Sequence, residues 1–86
     1  MKILHMVKSP NDSLAYDTAL GQRQIGKNEV WILLLQDAVY TPPPNWDKLY
    51  VCHDDLLARG VNCSGIQVDY GEMVDLLFSV DTVVNW

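Results

Sequence analysis

The stretch Glu29–Tyr40, EVWILLLQDAVY, constrains the fold more than any other part of the chain. Val30–Leu35 is its longest unbroken apolar run. Such a run is far short of the ~20 residues that span a bilayer. With no polar alternation, it reads as a strand buried on both faces. Its abrupt change to Gln36-Asp37 marks the carboxyl end of the strand, the edge of a parallel sheet where sites are usually built. The remaining chain must supply neighbouring strands and helices for both faces.

Ile3–Val7 is expected to form the first strand, stopped by Lys8-Ser9-Pro10. A helix then follows, with Ser9 as N-cap, Pro10 at N1 and Asp12 at N3; Asn11 and Ser13 are alternative caps. Its mild apolar face is Leu14, Ala15, Thr18, Ala19 and Leu20, and Gly21 and Gly26 end it. The second strand is Glu29–Gln36. Thr41-Pro42-Pro43-Pro44-Asn45 is neither helix nor interior strand and makes a stiff surface connection. Lys48–His53 reads as a third strand. Asp54 or Asp55 caps a short helix through Arg59, stopped by Gly60. Val61–Gly65 is a loop and Ile66–Asp69 a short fourth strand. Asp69 and Glu72 fit a capping box. Met73, Leu76, Leu77 and Val80 then recur at helical spacing. Thr82–Trp86 closes as a fifth strand. Strands alternating with short helices predict one α/β domain, a three-layer α/β/α sandwich with a mainly parallel sheet of about five strands.

Composition narrows the function. The chain has 86 residues, 49% hydrophobic and only 20% charged. A domain of this size buries roughly 60–65% of its unfolded surface, so some apolar surface is expected to meet another subunit. The terminal Thr82–Trp86 is expected to offer a strand edge and an indole to such a contact. Net charge is −5 and the six Lys/Arg are scattered, which argues against direct nucleic-acid binding. Ile3–Val7 is too short and too polar for a signal-peptide core. Two cysteines make no disulfide framework and suggest a cytosolic protein with reduced thiols.

In this layout Lys8, Gln36, Asp37, His53, Asp54, Asp55 and Asp69 follow strand carboxyl ends and share one rim. Such a set suits a metal or a phosphorylated ligand, but Asp54, Asp55 and Asp69 are also explained as helix caps. Cys52, inside a strand, reads as a small buried hydrophobe. Cys63, in an Asn/Ser/Gly loop, is the one candidate thiol carrier, with Arg59 the nearest cation and no base beside it. His5, inside a strand, reads as a satisfied core histidine. Cys52-His53 and Cys63 lack zinc-site spacing. No phosphate loop, nucleophile elbow or dinucleotide fingerprint is present, so neither a metal nor a cofactor is expected.

Five segments together resemble one family. Leu4-His5 with Lys8-Ser9-Pro10 is similar to the opening of the DsrH/TusB family of sulfur-relay proteins. Leu33–Tyr40, LLLQDAVY, is similar to that family's central LLLQDGV strand. Asp55–Gly60, DLLARG, resembles its DLIARG helix. Val68-Asp69-Tyr70 with the following helix, and the terminal Trp86, match its last third. The resemblance implies a DsrE-like α/β/α sandwich and a place as the smallest subunit of a heterohexamer. The partners it implies are TusC/DsrF-like and TusD/DsrE-like subunits, with no membrane and no direct nucleic-acid contact. That complex passes persulfide sulfur toward tRNA wobble-uridine 2-thiolation or Dsr-type sulfur oxidation. Family members from sulfur oxidisers carry a first-helix cysteine; here that stretch is Tyr16-Asp17-Thr18-Ala19-Leu20. The departure favours a non-catalytic subunit, with Lys8, Gln36, Asp37, Asp54, Asp55, Arg59 and Trp86 as rim or interface residues. Two alternatives stand beside it: a sulfur carrier using Cys63, and a stand-alone homo-oligomer of this fold with no sulfur role.

Overall fold

The computed structural model describes all 86 residues. Five strands form one all-parallel sheet: β1 (Lys2–Val7), β2 (Glu29–Leu34), β3 (Leu49–Cys52), β4 (Ile66–Val68) and β5 (Thr82–Asn85), in the order β4-β3-β2-β1-β5. Three helices connect them: α1 (Ser13–Gln24), α2 (His53–Arg59) and α3 (Tyr70–Ser79). Between β2 and β3 stand a short 3-10 helix, Gln36–Tyr40, and the proline segment.

The strand order dictates the layers. From β1 to β4 each step moves in one direction across the sheet, so right-handed crossovers put α1, the 3-10 helix and α2 on one face. The step from β4 to β5 runs back across the whole sheet, so α3 lies on the opposite face. Two cores result. The first joins Val7, Val30, Ile32, Leu34 and Val51 of the sheet to Ala15, Ala19, Ala38, Val39 and Leu56. The second joins Leu4, Trp31, Leu33 and Val68 to Leu76 of α3. β2 is central, and its apolar run alternates between the two cores, as a strand buried on both faces must.

Several boundaries differ from the sequence reading. α1 starts later: Asp12, not Ser9, is its N-cap and accepts from Ala15 N at 3.2 Å. It also runs through Gly21 to Gln24. Only Ala15 and Ala19 of its face are buried, while Leu14 and Leu20 point outward, so the helix sits on the sheet through small side chains. Cys52, not Asp54 or Asp55, occupies the N-cap of α2, and the two aspartates lie in its first turn, where they favour the positive end of the helix. Gly60, at φ 62°, ends that helix in the left-handed region. The capping box of α3 forms: Glu72 N donates to Asp69 at 2.8 Å and Asp69 N to Glu72 at 3.0 Å. The proline segment is held by Trp46, whose Nε1 donates to Val30 O at 3.0 Å while Arg23 stacks on its indole at 4.0 Å.

Candidate functional site

A parallel sheet puts every strand's carboxyl end on one edge, and there the structure gathers four of the expected rim residues into one cluster. Gln36 follows β2 with φ 50°, a conformation costly for a residue with a side chain. Its backbone N–H donates to Asp55 Oδ2 at 2.7 Å. Arg59, one turn further along α2, donates to Asp55 Oδ1 at 3.3 Å and to Asp37 Oδ1 at 2.9 Å. The hydrogen bond that Arg59 donates to Asp37 is the main reason the guanidinium is held still further above its ordinary range. Asp55 thus bridges a strained backbone N–H and a fixed cation, tying the end of β2 to α2. This arrangement is a structural clasp in which two carboxylates share one guanidinium.

The other rim residues stand apart. Lys8 contributes its carbonyl, which accepts from Ala38 N at 3.1 Å. Asp54 is exposed and makes no side-chain bond. His53, also exposed, has Nδ1 2.8 Å from Gln67 Oε1 of β4. Asp69 is engaged in its capping box. No three His, Cys, Asp or Glu side chains converge as metal ligands.

Trp86 is half-buried. β5 is an edge strand, but the indole turns inward and stacks on His5, with centroids 6.0 Å apart. Its Nε1 donates to His5 Nδ1 at 2.9 Å. An indole N–H can only donate, so Nδ1 is the unprotonated nitrogen. The His5 proton therefore sits on Nε2, which donates to Gln22 Oε1 of α1 at 2.6 Å. His5 is fully buried and satisfied on both nitrogens, and burial lowers its pKa against the opposing pull of Gln22. This link between residues 5 and 86 had no signal in the sequence beyond the two side-chain types.

Neither thiol is activated. Cys52 is 6% exposed, and burial pushes its pKa up against the pull of the Asp55 backbone N–H. A cysteine at a helix N-cap is the usual geometry of a lowered pKa; here burial wins. Cys63 is half-buried against the first core, and its Sγ–H donates to Ser64 O at 3.2 Å. Burial raises its pKa as well. The nearby Tyr16 hydroxyl is pushed up to about 12 by burial and by the charges of Asp12 and Cys63, so it stays neutral and supplies no base.

The second face carries a feature the sequence reading did not isolate. Its helix α3 has an apolar arc wider than the sheet covers: Leu76 is buried, but Tyr70, Leu77 and Phe78 are exposed. The signal was present as six apolar side chains among the ten residues YGEMVDLLFS, more than one face needs. No helix of the structure is long and apolar enough to cross a membrane. No protein-family profile matches the chain, and no curated protein matches it either.

Proposed function

We propose that this chain is a non-catalytic subunit of a cytosolic sulfur-relay complex, one that supports a thiol-bearing partner while persulfide sulfur passes through that partner. The observation that carries the reading is the clasp. Resemblance to the DsrH/TusB family is densest in Leu33–Tyr40 and Asp55–Gly60, segments separated in the chain. Their polar residues, Gln36 and Asp37 in one and Asp55 and Arg59 in the other, bond to each other. One structural junction thus joins the two segments that carry the resemblance. The non-catalytic half of the reading is supported by the thiols, since the thiolate is the sulfur nucleophile and burial disfavours it at Cys52 and Cys63 alike.

The partners on this reading are TusC/DsrF-like and TusD/DsrE-like subunits, and the relay serves tRNA 2-thiolation or Dsr-type sulfur oxidation. Alone, the chain self-associates to cover its exposed apolar surface. The test is co-expression with one subunit of each kind, followed by native mass spectrometry. A complex containing all three chains is expected. Assembly of the other two without this chain would overturn the proposal.

A further inference from the structure

We infer that His5 and Trp86 form a proton-operated latch: a proton on His5 Nδ1 and the docked indole of Trp86 exclude each other, so acid releases the end of β5 from the sheet face. His5 is the only buried polar residue in the chain. It lies on the face of β1 that carries α1. Its neighbours across the sheet are Ile32 of β2 and Val84 of β5. Gln22 of α1 accepts from Nε2 at 2.6 Å, and the indole of Trp86 donates to Nδ1 at 2.9 Å while stacking on the ring. Trp86 is the movable part of this enclosure. It follows an edge strand paired on one side only, and its backbone N–H donates to Met6 O at 3.0 Å.

The two ring contacts respond oppositely to a proton. Neutral imidazole offers one donor and one acceptor, whereas imidazolium offers two donors. Gln22 Oε1 accepts from Nε2 in both states, and more strongly from the cation. Trp86 Nε1 can only donate, so a protonated Nδ1 sets two N–H groups against each other. Stacking alone does not hold the indole, because a cation–π contact leaves the new proton without an acceptor. A buried imidazolium also needs a counter-charge or water. The elements packed around His5 supply no anion. On β1 itself, Lys2 reaches Trp31 of the second core. On α1, Asp12 caps the helix, the neutral Tyr16 donates to Thr41 O, Asp17 is exposed, and Arg23 stacks on Trp46. On β2, Glu29 pairs with Lys48 at 3.8 Å, and before β5, Asp81 accepts from Lys2 N at 2.7 Å. Burial and the Gln22 bond are the influences on the His5 proton, with no charge among them. Water must therefore reach the ring, and it enters where half-buried Trp86 stands, since Ile32 is buried and Gln22 keeps its bond. By linkage, docking of Trp86 opposes the proton as strongly as the proton opposes docking.

The test follows indole and imidazole signals of the ¹⁵N-labelled chain by NMR from about pH 7.5 to about pH 5, a range that spans histidine and stops above the usual carboxylate values. The Trp86 indole N–H is expected to leave its bonded position with the same midpoint as the His5 ring, below about pH 6.5. The indoles of Trp31, in the second core, and Trp46, bonded to Val30 O, report that the fold is intact. His5→Gln is expected to make the Trp86 signal indifferent to pH over this range. Trp86→Phe keeps an aromatic ring but removes the donor, and is expected to raise the His5 midpoint by about half a pH unit or more. A Trp86 signal that stays in place throughout the range overturns the inference. So do an equal response in His5→Gln, an unchanged His5 midpoint in Trp86→Phe, and loss of the Trp31 and Trp46 signals before that of Trp86 moves, which is unfolding rather than release. If Trp86→Phe perturbs the fold, the wild-type and His5→Gln titrations decide.

Discussion

Leu34→Ala probes the element on which the whole architecture rests. Leu34 has no solvent exposure, lies on the central strand, and pairs with Val7 on one side and Val51 on the other. Its side chain belongs to a core walled by strands, by Ala15 and Ala19 of α1, and by Leu56 of α2. Truncating a buried leucine costs ~2–5 kcal/mol, more where neighbours cannot collapse into the space. Strands held in register on both sides cannot close in, so a loss of about 3–4 kcal/mol is expected. A domain of this length has about 4–13 kcal/mol of stability in total. Its unfolding entropy is about 0.18 kcal/mol/K, so the loss corresponds to about 17–22 °C in Tm. Urea and thermal unfolding followed by circular dichroism measure both quantities. Leu57→Ala, at a position 67% exposed on α2, is the control and should change stability by less than about 0.5 kcal/mol. A Leu34→Ala loss under about 1 kcal/mol, or one equal to the control, would refute the assignment of β2 as the doubly buried centre.

Three further outcomes follow from particular contacts. Gly65, at φ 116°, would place a Cβ 3.1 Å from both Leu49 Cγ and Leu49 O, so Gly65→Ala should cost about 1–3 kcal/mol in a urea melt; a neutral result would contradict this close approach. Asp55→Ala removes the acceptor of the strained Gln36 N–H and should cost about 1–2 kcal/mol, whereas Asp37→Ala, at an exposed end of the clasp, should leave Tm nearly unchanged; equal losses would show that Asp55 does not anchor it. His5 titrates below its usual range in the folded chain, so the unfolded chain takes up its proton first as pH falls. The His5 contribution is therefore complete above about pH 6.5 and is lost progressively below it. Urea midpoints across that range should fall more steeply for wild type than for His5→Gln, and parallel slopes would dismiss the effect.

What could be read from the chain was whatever one local pattern specifies. The run Val30–Leu35 had no other plausible use than a doubly buried strand. Gly60 and the Asp69–Glu72 box had one position each to occupy. The start of α1 was less legible because Ser9, Asn11, Asp12 and Ser13 are all competent caps within five residues. The choice falls to Asp12, where the chain leaves the loop tied by Asn11 N to Thr41 Oγ1 at 2.9 Å. The rim was visible as a set of residues at strand ends. Which of them bond was not, because Gln36–Asp55 and Asp37–Arg59 depend on β3 lying beside β2. Strand order itself leaves no mark in a hydrophobic pattern. It nevertheless decides that α3 stands alone on its face and that Trp86 reaches His5. The excess of apolar residues on α3 was legible once counted around the helix, yet the spacing of Met73, Leu76, Leu77 and Val80 draws the eye to the buried side alone.

On the proposed function, sulfur does not rest on this chain. The most direct measurement loads the reconstituted three-subunit complex with persulfide from a cysteine desulfurase, then takes the intact mass of each subunit while sulfur arriving at the downstream acceptor is counted. A one-sulfur adduct is expected on the thiol-bearing partner and none on this chain, with transfer by the Cys63→Ser complex within a few-fold of wild type. An adduct on this chain that disappears with Cys63→Ser, together with collapse of transfer, would contradict it.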